Sequence, residues 1–339
     1  MTATIEDVAA RSGVSTATVS RVLSGSVPAR PETRERVLAA VQELDYRPSG
    51  IARALKRQET RTLGLLITDI TNPFYPQIVR SVEAAAHARG YGIVLADGGD
   101  DPARELEHLD LLVERRVDGI VIASSRMTRR HAERLGAISV PVVLVNDSVA
   151  GSGLPTVTTA HRRGARMATE HLISLGHTRV GHIGAPADQA AASQRRRGVQ
   201  DALRAAGLAE PIVAIGDGGV TGGATAAQAL IGAGVTGVVA YNDLTAIGAL
   251  RALRRAGIDV PTQVSIVGFD DIEMAAWTEP PLTTIRQPTA ALGQWAVNRL
   301  ANALRGGQPG AERASLAPKL IVRESTAPAT ADPDAYGTV

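Results

Sequence analysis

From Leu63 onward the chain repeats one pattern: a short aliphatic run, then a helical stretch. The runs are Leu63–Ile67, Ile93–Ala96, Gly119–Ala123, Val142–Val145, Val180–Ile183, Ile212–Ile215, Gly237–Ala240 and Val264–Phe269. Helical periodicity fills the gaps, for example over Gln77–Ala88, Glu105–Glu114, Arg163–Leu175, Gly198–Ala206, Ala224–Leu230 and Thr245–Ala256. A strand with no polar side must be covered on both faces, and alternation with helices gives parallel sheets. Eight such units exceed one sheet of ordinary size, so the pattern predicts two doubly wound subdomains. The units before and after about residue 160 look alike, which predicts a duplicated architecture. Aromatic residues are 3% of the chain, so Leu, Val, Ile and Ala must fill the cores. There is no cysteine, which excludes disulfides, thiolate metal sites and cysteine nucleophiles.

Before Leu63 the pattern is different. Residues 4–45 read as three short helices. Ile5, Val8 and Ala9 carry the first, and Gly13 supplies the turn. Ser15 caps the second, whose Val19, Val22 and Leu23 share a face. Pro31 opens the third, with Val37, Leu38, Val41 and Leu44 as its stripe. This spacing fits a plain solvated three-helix bundle and equally a helix-turn-helix, in which the second helix enters the DNA major groove by its N-terminal end. The exposed groups there are Ser15, Thr16, Ala17 and Thr18. The hydroxyls of Ser15 and Thr18 suit phosphates. Thr16 and Ala17 are small enough to bring methyl groups to thymine, and Arg21, one turn on, can reach guanine or phosphate. Residues 1–61 hold ten Lys/Arg against seven Asp/Glu, which leaves the net +2 chain with a basic head.

The run TIEDVAARSGVSTATVSRVLSG, followed by PETRERVLAAVQELDYRPSGIARALKR, resembles the head of the lactose-repressor (LacI/GalR) family almost position by position. The resemblance implies a sequence-specific DNA-binding regulator, by family default a repressor. It implies that Thr16 and Ala17 choose bases, and that Ile51–Lys56 is a hinge helix whose Leu55 wedges into the minor groove. Arg30 departs from the Ser usual before Pro-Glu-Thr-Arg, so the third helix lacks a side-chain cap. The expected organisation is a DNA-binding domain over residues 1–49, a hinge and linker over 50–61, an effector-binding domain over 62–326 and a disordered tail over 327–339. Within the effector-binding domain, one subdomain takes about 62–159 and 289–316, the other about 160–288 and 317–326.

The body also resembles that family, and the periplasmic sugar-binding fold it shares, through DITNPFYPQIV, RRVDGIVI, PVVLVND, HTRVGHIG, AYNDLTAIGAL, VPTQVSIVGFDD and LTTIRQP. Such folds bind ligands beyond the carboxyl ends of their strands, in the cleft between subdomains. Residues just past the strands are therefore the candidates: Asn72, Phe74, Asp147, Asn242, Asp243 and Trp277, with Arg195 at a helix start. Carboxylates with an arginine engage ligand hydroxyls, and an aromatic face covers apolar ligand faces, which fits a carbohydrate-like or other polar effector. The resemblance assigns Arg195 and Asp243 to effector contact, while Asp243 alone also reads as a helix cap. Asp270 and Asp271 read as turn and cap residues. Gly216-Asp217-Gly218-Gly219 stands where relatives often place an aromatic, so one stacking wall is missing.

An enzyme is disfavoured. Gly216–Thr221 only approaches a dinucleotide fingerprint, and neither HExxH, P-loop nor GxSxG spacing occurs. No cofactor or metal is implied. A solute-binding protein of the periplasmic type would share the body but not residues 1–57. The start MTATIEDVAARSG has no signal-peptide pattern and no run is long enough to span a bilayer, so a cytoplasmic protein without a membrane partner is expected. The expected partners are a pseudo-palindromic operator and a second copy of the chain. The tail has no leucine heptads, which predicts a homodimer and not a tail-assembled tetramer.

Overall fold

The computed structural model describes residues 3–24, 29–46, 59–123, 129–147, 149, 152–187, 189–307 and 310–329. The chain divides into two units, Met1–Thr60 and Arg61–Val339. The first unit holds α1 (Ile5–Ser12), α2 (Thr16–Ser24) and α3 (Pro31–Glu43). Thr4 and Asp7 cap α1 reciprocally: Thr4 N donates to Asp7 Oδ2 at 2.8 Å and Asp7 N to Thr4 Oγ1 at 3.3 Å. Gly13, at φ 66°, takes the left-handed conformation that turns the chain into α2. Arg30 makes no side-chain cap bond to α3, as its departure from Ser requires. Each helix contributes one fully buried valine, Val8, Val19 and Val37, ringed by Ile5, Val14, Val22, Leu23, Val41, Leu44 and Tyr46. On α3 the packed line is Val37, Ala40, Val41, Leu44. Leu38, expected in that line, is 44% exposed. One residue on a helix turns about 100° away, which carries Leu38 off the stripe that Ala40 occupies. The expected hinge helix, including Leu55, lies outside the described residues.

The second unit carries two sheets. The first is built from β1 (Thr62–Ile67), β2 (Gly92–Asp97), β3 (Gly119–Ala123), β4 (Val142–Val145), β5 (Thr156–Thr159) and β11 (Arg313–Leu316). The second is built from β6 (Val180–Gly184), β7 (Ile212–Ile215), β8 (Gly237–Ala240), β9 (Ser265–Asp270), β10 (Thr283–Arg286) and β12 (Lys319–Ile321). The orders are β2-β1-β3-β4-β5-β11 and β7-β6-β8-β9-β10-β12. Every described pairing is parallel except β10 with β12. The first five strands of each sheet follow the same order, so the body is an architectural duplication. Eight of the twelve strands overlap the aliphatic runs. The other four are not aliphatic: TVTT and TTIR use β-branched threonine, and RASL and KLI are partly polar edge strands.

The helices of the first sheet are α4 (Phe74–His87), α5 (Pro102–Glu114), α6 (Arg129–Gly136) and α11 (Thr289–Leu304). Those of the second are α7 (His161–Ser174), α8 (Ala190–Ala205), α9 (Val220–Ile231) and α10 (Asp243–Arg255). Alternate residues of β1 enter opposite cores. Leu63, Leu65 and Ile67 meet Ile78, Val82 and Leu292, while Leu66 meets Leu109 and Leu112. In the second sheet Val239, Val267 and Phe269 pack on Ala165, Leu172 and Val199, and Ile183 and Ala240 on Leu230 and Leu253. Gly198 lets α7 and α8 touch along their backbones, since a Cβ there would stand 2.2 Å from the Arg162 carbonyl oxygen. The chain passes between the sheets three times, at 159–161, 286–289 and 316–319. The segment expected to be disordered from 327 is bonded into the body through Ala329. Ala327 N donates to Ser265 Oγ at 3.0 Å, His177 Nε2 donates to the Ala327 oxygen, and Ala329 N donates to the Leu175 oxygen at 2.8 Å. Among the described residues no helix is long and apolar enough to cross a membrane.

His182 on β6 is fully buried and its Nδ1 donates to the Val239 oxygen at 2.8 Å. Its Nε2 has no partner, so a second proton there would be desolvated and unpaired. Burial, only partly opposed by the Val239 bond, pushes its pKa down to about 4. The unfolded ring titrates near 6.5, so between pH 6.5 and about 4 the unfolded chain binds the extra proton. Stability from this group is therefore full above 6.5 and lost as pH falls. The unfolding free energy of the native chain, compared with His182→Gln in urea titrations, should lose about 2–3 kcal/mol of its advantage between pH 7 and pH 4.5.

Candidate functional site

The N-terminal end of α2 is the exposed feature of the head. Ser15, Thr16 and Ala17 are exposed and Thr18 is half-buried, while Val19 on the opposite side is fully buried. Ser15 Oγ accepts from Thr18 N at 3.3 Å and lies 3.0 Å from Thr18 Oγ1. The cap ties the two hydroxyls expected at phosphates to one another and leaves Thr16 and Ala17 exposed. Arg21 folds back, its Nε donating to the Ala17 carbonyl at 3.2 Å.

In the body, the carboxyl ends of both sheets open on a cleft of about 300 Å³. It forms where the strand order reverses, between β1 and β3 and between β6 and β8. From the first sheet come Thr68, Asp69, Asn72, Phe74, Asp100 and Asn146; from the second come Gln189, Arg195, Asp217, Tyr241, Asn242 and Asp270. His161 and Gln287, at two of the crossings, complete the floor.

Arg195 on α8 is the centre of this wall and is buried. Its guanidinium carbon lies 3.7 Å from the Phe269 ring centroid and 4.7 Å from that of Tyr241. Nη1 donates to the Tyr241 carbonyl at 2.5 Å, and Nη2 lies 3.4 Å from both Asp270 Oδ1 and His161 Nδ1. Asp270 Oδ1 also accepts from Gln287 Nε2 at 2.6 Å. Gln287 Oε1 in turn accepts from Asn146 Nδ2 at 2.9 Å and Thr159 Oγ1 at 2.6 Å. One hydrogen-bond chain therefore runs from the second sheet, through the crossing at 286–289, to the ends of β4 and β5. Two buried nitrogens in the wall stay without a partner, Arg195 Nε and His161 Nε2. A guanidinium can only donate, so His161 accepts at Nδ1 and carries its proton on Nε2. Burial, with the Arg195 charge beside it, holds His161 well below its ordinary range and so neutral. Burial pushes Asp270 above the ordinary carboxylate range, with Arg195 pulling against it.

Four of the expected residues line the cleft. Asn72 Oδ1 accepts from Phe74 N at 3.1 Å in the turn before α4, Asn242 Oδ1 caps α10 at 2.8 Å from Thr245 N, and Asn242 Nδ2 also donates to the Gly218 oxygen. Phe74 and Arg195 are the others. Three expectations need correction. Asp147 lines a neighbouring cavity and not the cleft, while Asn146 before it, turned out of the strand at φ 59°, lines both. Asp243 is fully buried behind the cleft, accepting from Thr284 Oγ1 at 2.5 Å and Ile272 N at 2.9 Å, so it ties α10 to β10 and the turn after β9. Trp277 is 71% exposed and does not line the cleft. Asp270, which the sequence suggested as turn chemistry, holds the place assigned to Asp243. His161, Gln189, Tyr241 and Gln287 were not singled out; the strand-end rule marks Tyr241, and the string LTTIRQP contains Gln287. Asp217, Gly218 and Gly219 do reach the cleft, and the Tyr241 ring stands beside them, 3.6 Å from where a Gly218 Cβ would lie.

Asp243→Ala would leave the Ile272 amide and the Thr284 hydroxyl unpaired in the core. It should lower the unfolding free energy by about 2–4 kcal/mol, read as a lowered thermal midpoint. An unchanged midpoint would refute the assignment of Asp243 to scaffolding.

A sequence model of the lacI family of bacterial regulatory proteins matches residues 4–49, and one of the periplasmic binding protein-like domain matches residues 169–326. The chain is 36% identical over 328 residues to the ribose operon repressor of Escherichia coli (strain K12), covering 95% of this chain and 99% of that one. It resembles the lac repressor dimer bound to operator and the anti-inducer ONPF, with a TM-score of 0.88 at 28% identity over 96% of this chain and 100% of that one. A second solved structure, the complex of the transcriptional regulator CelR with cellobiose, matches with a TM-score of 0.74 at 34% identity over 95% and 99% of the two chains.

Proposed function

This chain belongs to the lacI family of bacterial regulatory proteins, a DNA-binding transcriptional regulator that answers to a ligand and not an enzyme, and we propose that it is a repressor whose operator affinity is set by a monosaccharide-sized polyhydroxylated effector in the cleft. The observation that carries this reading is the buried Arg195–Asp270 pair, with the unpartnered Arg195 Nε and His161 Nε2, in the wall of a polar cavity. The cavity volume of about 300 Å³ is at the small end of ligand sites, which favours a single sugar ring over a longer one. Asn72, Asn146, Asn242 and Asp270 offer donors and acceptors around such a ring, and Phe74 offers an apolar face. The relatives in hand include a ribose operon repressor and a cellobiose-bound regulator, which supports a carbohydrate class.

On the DNA side, Thr16 and Ala17 read bases from the major groove and Ser15, Thr18 and Arg21 hold phosphates. The likeness to an operator-bound dimer supports a homodimer on a pseudo-palindromic site, acting in the cytoplasm where DNA is. An effector shifts operator affinity only through its different affinity for the two states of the body.

Two measurements test this. In a thermal-shift screen of sugars the stabilising sugar identifies the effector. Asp270→Asn keeps the Gln287 bond but removes the charge, so it should weaken that sugar by about 10–100-fold. An equal affinity of both chains for the sugar would place the effector elsewhere. In selection from randomised duplexes, Ala17→Gln should change the preferred base pair at the same position of both half-sites, each mismatch being worth about 1–3 kcal/mol. An unchanged preference would remove Ala17 from base reading.

A further inference from the structure

A second cavity of about 810 Å³ lies on the other side of the 159–161 crossing from the cleft. The two share only Asn146, His161 and Ala191 among their lining residues. One wall is the edge of the first sheet. Arg313 and Ser315 of β11 stand in register with Thr156 and Thr158 of β5, and all four line the cavity. The other wall is the N-terminal half of α7, which carries Arg162, Arg163 and Arg166. That helix starts after Ala160, whose side chain cannot cap it.

The charges do not cancel. Asp201 engages Arg162 through both carboxylate oxygens, at 2.5 and 2.9 Å, and Glu170 engages Arg166 at 2.6 Å. Asp147 also lines the cavity and is buried in its own bonding. Arg163 and Arg313, one from each wall, have no acidic partner among the described residues. The hydroxyls of Thr158 and Ser315 have no hydrogen-bond partner there either. Two unmatched guanidiniums, two free hydroxyls and the positive end of an uncapped helix together favour a doubly charged, oxygen-rich anion.

We propose that this second cavity binds a phosphate group, free or esterified to a small metabolite, held between Arg163 of one subdomain and Arg313 of the other. The cavity is far larger than one phosphate, which leaves room for the carrier of an ester. Because the two walls belong to different sheets, the phosphate binds best at one degree of closure of the body. This site does not rest on the sugar reading of the cleft.

Calorimetric titration of the full chain with glucose 6-phosphate, inorganic phosphate and glucose, at fixed ionic strength, tests it. Glucose 6-phosphate should bind saturably, and Arg163→Gln with Arg313→Gln should weaken it by about tenfold or more. Both residues are exposed, so the double variant should keep the native thermal midpoint. Equal affinity for inorganic phosphate would identify the free anion as the source, and tighter glucose 6-phosphate would identify an ester. The proposal is overturned if neither phosphate binds saturably, if the double variant binds like the native chain, or if competition by glucose abolishes binding, which would place the ligand in the cleft.

Discussion

The buried guanidinium of Arg195 is the interaction on which the body's cleft depends. A cation without water is tolerable only when its charge and its donors are met from several sides. Two aromatic faces, a backbone carbonyl, a carboxylate and a neutral imidazole do this here. Each of those partners is fixed by a different element. Phe269 and Asp270 end β9, Tyr241 follows β8, and His161 opens α7. The requirement to surround Arg195 therefore aligns three elements of the second sheet at one place. It also explains the neutral state of His161: a ring that must accept from a guanidinium cannot hold a second proton.

The alternation of aliphatic runs with helices made the layered body legible, because burial on both faces leaves a composition that nothing else needs. The head was legible for a similar reason, in Gly13 at the turn and valines at helical spacing. What escaped is what burial does not write into composition. Threonine strands such as TVTT carry β-branched shape without aliphatic character. At the cleft, the strand-end rule found the right loops but missed the register. Asn146 and Asp147 are adjacent, as are Asn242 and Asp243, and in each pair a turn of one residue decides which side chain meets ligand space. Asp270 was set aside as turn chemistry because an Asp-Asp pair after a strand usually is that. Its place in the cleft shows only when Arg195, distant in sequence, is set beside it.

Duplication supplies the geometry of the cleft. Each sheet reverses its strand order at its own switch point, and each switch point leaves a crevice at the carboxyl ends of the strands. Two such crevices facing one another enclose a volume that neither would alone. The crossings between the sheets then become part of the wall, which is why His161 and Gln287 stand in it. Placement of Gln287 has a mechanical consequence. Its amide accepts from the first sheet side and donates to Asp270 on the second, within the crossing itself.

A ligand that bonds to Asp270 competes with Gln287 and Arg195 for the same oxygen. It can therefore alter the bonding of the crossing without touching it. Such a shift is worth no more than the difference in the ligand's affinity for the two arrangements, however tightly it binds. A carboxylate already accepting from two donors, and pushed by burial toward protonation, is sensitive to one further donor. Under the proposed reading, Asp270 is the place where a change in hydrogen bonding inside the cleft becomes a change in how the two halves of the body are held.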